Sequence, residues 1–348
     1  MVFNPNNASR SDSGIFGLPY GLADSQIVLL PVGWEATTSY RGGTSHGPKI
    51  IRAASKQVDL FDLDLGNFYE QGIFMLEEFP EIESMNRVAK KAAQLVIQND
   101  GIAETPEQKA ALAEVNLLSS KINAFTKEKT RLLLEQQKIV GLIGGDHSCP
   151  FGSIEAYLEK FPDLGVLHFD AHADLRDAYE GFEHSHASIM HNLLHKTKLK
   201  KLVQVGIRDF SEFEISEIEK SNGRVTSFFD QSLFEMKAEG KPWKEITAEI
   251  ISSLPRQVYI SFDIDGLDPV LCPRTGTPVP GGLSFHEAVF IIKTVCRSGR
   301  TIVGFDLNEV SPGDGEPIDG HDWDANVGAR LLYKLCGWTL ESQKNALI

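Results

Sequence analysis

The stretch GVLHFDAHADLR (165–176) begins as a strand and ends as a cluster of ionisable groups. GVLHFD is a short, continuous apolar run with one histidine, His168, inside it. Such a run suits a strand buried on both faces rather than one with a wet side. Seven further runs share this character: IVLLPV (27–32), GIFMLE (72–77), IVGLIG (139–144), LVQVGI (202–207), VTSFF (225–229), VYISFD (258–263) and IVGFDL (302–307). Most of the stretches between them are long enough for helices. Repeated β–α alternation predicts an α/β fold on a mainly parallel sheet.

The longest intervening segment, 105–136, reads as a helical excursion. Thr105 can cap it, Pro106 sits at the first helical position and Gln108 at the capping-box position. Leu112, Val115, Leu118, Ile122 and Phe125 then form one apolar face, which Ser119 and Ser120 can interrupt. A helix pair packed on the sheet is the expectation. Residues 1–25 read as an N-terminal arm and 26–348 as a single domain.

The chain has 348 residues and a formal net charge of −14. An acidic surface repels a phosphate backbone, so nucleic acid is not an expected partner. No apolar run approaches the ~20 residues that span a bilayer, and no membrane partner is expected. The polar N-terminus shows no secretory signal, and four widely spaced cysteines fit reduced thiols. Both point to a cytoplasmic location.

Four segments fall at the carboxyl ends of expected strands: GGDHS (144–148), DAHAD (170–174), DIDGLDP (263–269) and DLNEVSP (306–312). Ligands of open parallel sheets bind beyond those ends. In extended backbone alternate residues share a side. Asp170, His172 and Asp174 would then face one way, as would Asp263 and Asp265. With His147 the set is two imidazoles and four carboxylates. So many carboxylates need compensating positive charge, and no Lys or Arg lies inside the ligand motifs. Six side chains exceed one tetrahedral zinc site and suit two bridged cations. The oxygen-rich donor set favours Mn²⁺, with Ni²⁺, Co²⁺ or Zn²⁺ as alternatives. A bridged pair generates hydroxide near neutral pH, which predicts a hydrolase. His191 and His195 have an i,i+4 metal spacing without an evident third ligand, and read as a packed or solvated helix face. His168 reads as a core histidine.

GGDHS, FDAHADLR, SFDIDGLDP, TGTPVPGGLS and GFDLNEVSP resemble the ureohydrolases, the arginase and agmatinase family, in order over roughly residues 27–335. The resemblance implies a three-layer α/β/α fold with an eight-stranded sheet, two Mn²⁺ per chain, and hydrolysis of a guanidino compound to urea and an amine. It implies a homo-oligomer, trimer or hexamer. One metal would take His147, Asp170, Asp174 and Asp263, and the other Asp170, His172, Asp263 and Asp265. Glu309 would pair with the substrate guanidinium. His186, preferred over His184, would carry the proton to the leaving amine.

The core motifs do not settle the substrate. Arginases carry an Asn two residues after the last Asp of DAHxD, where this chain has Arg176. LRDAYEG followed by SHAS looks agmatinase-like, while Arg176 could instead face a substrate carboxylate and Asp209 could meet a substrate tail. Agmatine or a related compound is the expectation. Arginase, guanidino-acid hydrolase and guanidine hydrolase are alternatives within the family. A non-catalytic metal-binding homologue is the alternative of another class.

Overall fold

A computed structural model describes residues 3–10, 12–313 and 315–347. Positions 1, 2 and 11 of the expected arm, and residue 348, lie outside the described residues. Eight strands form one sheet: β1 (Ile27–Val32), β2 (Ile73–Met75), β3 (Ile139–Gly144), β4 (Gly165–Phe169), β5 (Lys201–Ile207), β6 (Val225–Phe229), β7 (Gln257–Asp263) and β8 (Thr301–Asn308). Their order is β2-β1-β3-β8-β7-β4-β5-β6. Every pairing among them is parallel.

The chain builds outward and then fills its own gap. β1 and β2 lie to one side of β3, while β4, β5 and β6 run away on the other. β7 and β8 then enter between β4 and β3. The four strands whose ends carry the polar motifs are therefore neighbours at the sheet centre, although nearly half the chain separates the first motif from the last.

Among the described residues ten α-helices connect and cover the strands: α1 (Gly47–Ala54), α2 (Pro80–Ile97), α3 (Pro106–Glu135), α4 (Phe151–Lys160), α5 (Ile189–Lys196), α6 (Glu212–Lys220), α7 (Asp230–Ala238), α8 (Trp243–Ser252), α9 (Phe285–Arg297) and α10 (Trp323–Ser342). The continuous apolar strands feed two cores, one per face. In β1, Ile27 and Leu29 belong to the core that also holds Ile50 of α1, Ile246 of α8, Ile291 of α9 and Leu332 of α10. Val28, Leu30 and Val32 join the opposite core, with Val96 of α2, Ile122 of α3, Tyr157 of α4 and Leu193 of α5. The result is three layers, α/β/α. The described part of the N-terminal segment reaches the first core through buried Ile15 and Phe16. The backbone N–H of Phe16 donates to the Ser55 hydroxyl at 2.9 Å.

The segment expected as a helix pair is one helix of 30 residues, α3, with a complete capping box on Thr105 and Gln108. Ser119 is buried within it and does not break it. A hydroxyl seam faces α4, where Thr130 donates to Ser153 at 3.0 Å. Gly152 of α4 lets the backbones meet, since a Cβ there would lie 1.9 Å from the Asn123 carbonyl oxygen.

Candidate metal centre

The carboxyl ends of β3, β8, β7 and β4 present, side by side, His147, Glu309, Asp263 with Asp265, and Asp170 to Asp174. The convergence expected from the sequence is present, but extended backbone does not produce it. β4 ends at Phe169, and Asp174 adopts φ 54°. β7 ends at Asp263, and a single 3-10 turn, Ile264–Gly266, carries Asp265. Each motif makes its own turn. The Asp265 N–H donates to Asp263 Oδ1 at 2.9 Å, and the His172 N–H to Asp170 Oδ1 at 2.6 Å. The Ala171 N–H then binds Asp265 Oδ1 at 3.0 Å, fastening the two turns together. Gly266 permits this approach, because a Cβ there would lie 2.7 Å from the Asp170 nitrogen.

His147 is the hub. Its Nδ1 lies 3.0 Å from Asp170 Oδ2, 3.3 Å from Asp174 Oδ2 and 3.3 Å from Asp263 Oδ2. A second imidazole nitrogen, His172 Nδ1, lies 3.3 Å from Asp170 Oδ1 and 3.2 Å from Asp265 Oδ2. Asp170 thus turns one oxygen to each imidazole. One ring proton cannot serve three carboxylates. No Lys or Arg side chain is paired with these carboxylates among the described residues; Arg208 donates only to carbonyls, including that of Asp265 at 2.7 Å. The donor set is oxygen-rich with two imidazoles and suits hard or borderline divalent cations.

The titration behaviour carries the same demand for positive charge. Burial pushes Asp174 up to about 7, and the neighbouring Asp170 adds to the rise. Burial, Asp265 and Asp170 hold Asp263 well above the carboxylate range. Burial opposes charge on His147, yet hydrogen bonds to Asp170, Asp174 and Asp263 hold it well above the imidazole range. In His172 the Asp265 and Asp170 charges likewise overcome burial. Protons on the imidazoles stand where cations would neutralise the cluster. His147 is oriented for that exchange. The Ser261 hydroxyl gives its hydrogen to Asp306 at 3.0 Å, so it accepts from His147 Nε2–H at 2.9 Å. The lone pair of Nδ1 is then left for the carboxylate side.

Several contributors escape a reading of motifs alone. His168, expected as a core histidine, is fully buried and places Nε2 2.8 Å from Asp170 Oδ2. Its other nitrogen accepts from the Gln204 amide at 3.0 Å, so Nε2 carries the hydrogen and donates. His168 therefore orients Asp170 and is committed away from ligation, although it lies within reach of the cluster. The i,i+2 spacing of His168, in β4, and Asp170, just past its end, was the available signal. Ser261 and Asp306 had none, because their link to His147 crosses three strands. Gly145 is required for space rather than for a left-handed backbone: a Cβ there would lie 2.1 Å from the Trp34 carbonyl oxygen.

Glu309 is buried beside the hub. Its Oε1 accepts from the His147 backbone N–H at 3.0 Å, and its own N–H donates to Gly145 at 2.8 Å. Burial, then Asp263, Asp146 and Asp265, raise its carboxyl well above the ordinary range. Gly276 of the TGTP segment lies against Oε2, where a Cβ would come to 3.2 Å.

His186 and His184 separate clearly. The Thr37 hydroxyl accepts from the His186 backbone N–H at 3.2 Å and lies 3.1 Å from Nδ1. These contacts hold the ring by its Nδ1 edge. Burial and the His172 charge push His186 down to about 4. His184 turns away and packs against Phe151, ring centroids 5.4 Å apart. Arg176 is held by Glu214, 3.6 Å from Nε to Oε2, and over the Tyr179 ring at 4.8 Å. Asp209 is exposed, and its backbone bridges to that of His172. The structure brings the six expected ligands and Glu309 together, and does not bring Arg176 into contact with them.

A family model described as the Arginase family matches residues 25–337. The N(1)-aminopropylagmatine ureohydrolase of Thermus thermophilus is 32% identical over 318 residues, covering 90% of each chain. The agmatinase of Bacillus subtilis is 28% identical, covering 90% of this chain and 91% of its own. Among solved structures, the agmatine ureohydrolase of Thermoplasma volcanium superposes with a TM-score of 0.73 at 22% identity, covering 96% of this chain and 97% of the other. With its three-layer fold and its strand-end cluster of histidines and aspartates, the chain belongs to the arginase family, hydrolases of carbon–nitrogen bonds in linear amidines.

Proposed function

We propose that this chain hydrolyses a linear guanidino compound with a cationic tail, agmatine or an aminopropyl-extended agmatine, to urea and the corresponding amine. The observation that carries this reading is the buried set of carboxylates around His147 and His172, with Glu309 beside them, which has no Lys or Arg partner among the described residues and demands cations. We assign one divalent ion to His147, Asp170, Asp174 and Asp263, and a second to Asp170, His172, Asp263 and Asp265. The two oxygens of Asp170, each turned to a different imidazole, support its bridging role, and Mn²⁺ fits the donor set. Such a pair supplies a water activated near neutral pH.

The remaining work falls to the chain itself. Glu309 has one oxygen held by a backbone N–H, and its raised carboxyl regains its charge beside a guanidinium. That contact orients the planar cation and fixes its carbon in place. Water adds to that carbon, the carbon–nitrogen bond to the tail breaks, and the departing nitrogen takes a proton. We assign the transfer to His186. An imidazole held down near 4 is neutral at pH 7, so it acts as a relay that accepts and passes a proton rather than as a standing acid.

Arg176 is already neutralised by Glu214 and Tyr179, while Asp209 stands exposed at the rim. This distribution favours a cationic tail over a carboxylate. Like others that the motifs resemble, the chain is read as a cytoplasmic homo-oligomer of three or six subunits. The test of the substrate reading is urea release from equal concentrations of agmatine, N(1)-aminopropylagmatine, arginine, guanidinobutyrate and guanidine. The amine-tailed pair should lead; a guanidino acid in the lead would reverse the assignments of Arg176 and Asp209.

A further inference from the structure

His191 and His195 lie one turn apart on α5, with ring centroids 4.3 Å apart. The sequence shows no third ligand near them. The fold supplies one from a different helix, Glu217 of α6. Its Oε2 lies 2.8 Å from His195 Nε2 and 4.0 Å from His191 Nδ1. One donor atom from each of the three residues falls within 4.8 Å of the others. A tetrahedral ion with bonds of ~2.1 Å has ligand–ligand edges of roughly 3.4 Å. The observed separations bracket that value and need only small side-chain adjustments.

A second observation separates this cluster from an ordinary surface ion pair. His191 Nδ1 is shielded from solvent and has no hydrogen-bond partner. A buried nitrogen without a partner is unfavourable, and the protein alone leaves this one unserved. The ring's other nitrogen, Nε2, faces Asp177 Oδ1 at 3.6 Å. Asp177 is thus placed where a carboxylate could hold the Nε2 proton once an ion occupies Nδ1. His195 is half-exposed, its side chain 51% accessible, so an ion and its water can enter.

We propose that His191, His195 and Glu217 form a separate site for a single borderline divalent cation of the Zn²⁺ type, completed by water. Its place in the fold gives it a structural task. The N–H groups of Met190 and His191 bind the Asp174 carbonyl, at 3.1 and 3.0 Å. On α6, Glu214 accepts from the Leu175 N–H at 3.1 Å. An ion between α5 and α6 therefore clasps the two helices that flank residues 174–177. The site stands independently of the substrate reading.

The test is equilibrium dialysis of the full chain against Zn²⁺, with metal content read by elemental analysis, for wild type, H195A and E217Q. Neither side chain contacts the strand-end cluster, and the tetrahedral Co²⁺ signature distinguishes loss at this site from any change there. Wild type should hold one more equivalent per chain than either variant. Tetrahedral Co²⁺ absorption should weaken in both variants by the share of one site. Circular dichroism verifies that each variant is folded; E217Q, which keeps shape and removes charge, serves if H195A is not. Equal metal content in wild type and a folded variant overturns the proposal.

Discussion

The centre and the rim of the strand-end cleft are built in different ways. At the centre, His147, Asp170 and Asp265 are each about 1% exposed, and every ligand is tied to a strand end or the turn just after it. At the rim, Arg176 and Asp209 sit on loops, one braced by Glu214 and Tyr179, the other in solvent. Buried carboxylates without cations are costly, so the centre commits the fold to a particular chemistry. Exposed charges cost little and can vary without disturbing the sheet. The difference places the groups proposed for the reaction deep in the fold and those proposed for substrate choice at its surface. Substitutions should therefore have effects that fall steeply from centre to rim.

The largest effect is expected for Asp263→Asn, which removes charge from both assigned ions. Metal content should fall below two equivalents, and urea release should drop by at least ~10³-fold. Retention of both ions at normal turnover would break the contrast at its strongest point. His186→Ala should keep both ions and lose ~10²–10⁴-fold in turnover; loss of metal would make it a ligand instead. Glu309→Gln removes a charge-assisted hydrogen bond worth ~1.5–3 kcal/mol, and kcat/KM should fall about 10- to 100-fold with metal content unchanged. His168→Ala should weaken metal affinity ~10–100-fold, as expected for loss of a group that orients a ligand. At the rim, Arg176→Ala should change kcat/KM for amine-tailed substrates less than about 5-fold, because Arg176 pairs with Glu214 at 3.6 Å, away from the central cluster.

Acidity offers an independent way to sharpen the comparison. In the metal-free fold the carboxyls of Asp174 and Asp146 are pushed up to about 7 and that of Asp306 to about 6, burial being the largest cause in each. His147 and His172 are also raised. Groups raised in the folded state stabilise it below their unfolded values and lose that contribution as pH rises through the folded ones. The Tm of the metal-free protein should therefore fall between about pH 5.5 and pH 8, and the rise in Tm on adding Mn²⁺ should widen over the same window. A gap that narrows with pH would contradict the electrostatic account of the centre.

The strands were legible because most run apolar without interruption, as in IVGLIG and VYISFD. Their order was not. The insertion of β7 and β8 between β3 and β4 depends on pairings between residues as far apart as Gly165 and Val258 or Gly141 and Phe305, and no local spacing records it. The candidate ligands were legible as motifs, but alternate spacing misstated their geometry: Asp174 reaches His147 from a left-handed backbone, and Asp265 reaches His172 from a 3-10 turn. His168 was visible but assigned to the core, because its link to Asp170 depends on Gln204 from the neighbouring strand. Glu217 stayed hidden for the same reason, since α6 meets α5 only in the folded chain.

The most direct test of the central claim is urea release from agmatine or N(1)-aminopropylagmatine as Mn²⁺ is titrated into metal-free protein. The account predicts turnover that rises with added metal and levels off at two equivalents per chain. Absence of urea with two equivalents bound, or full activity on a single tightly held ion, would contradict it.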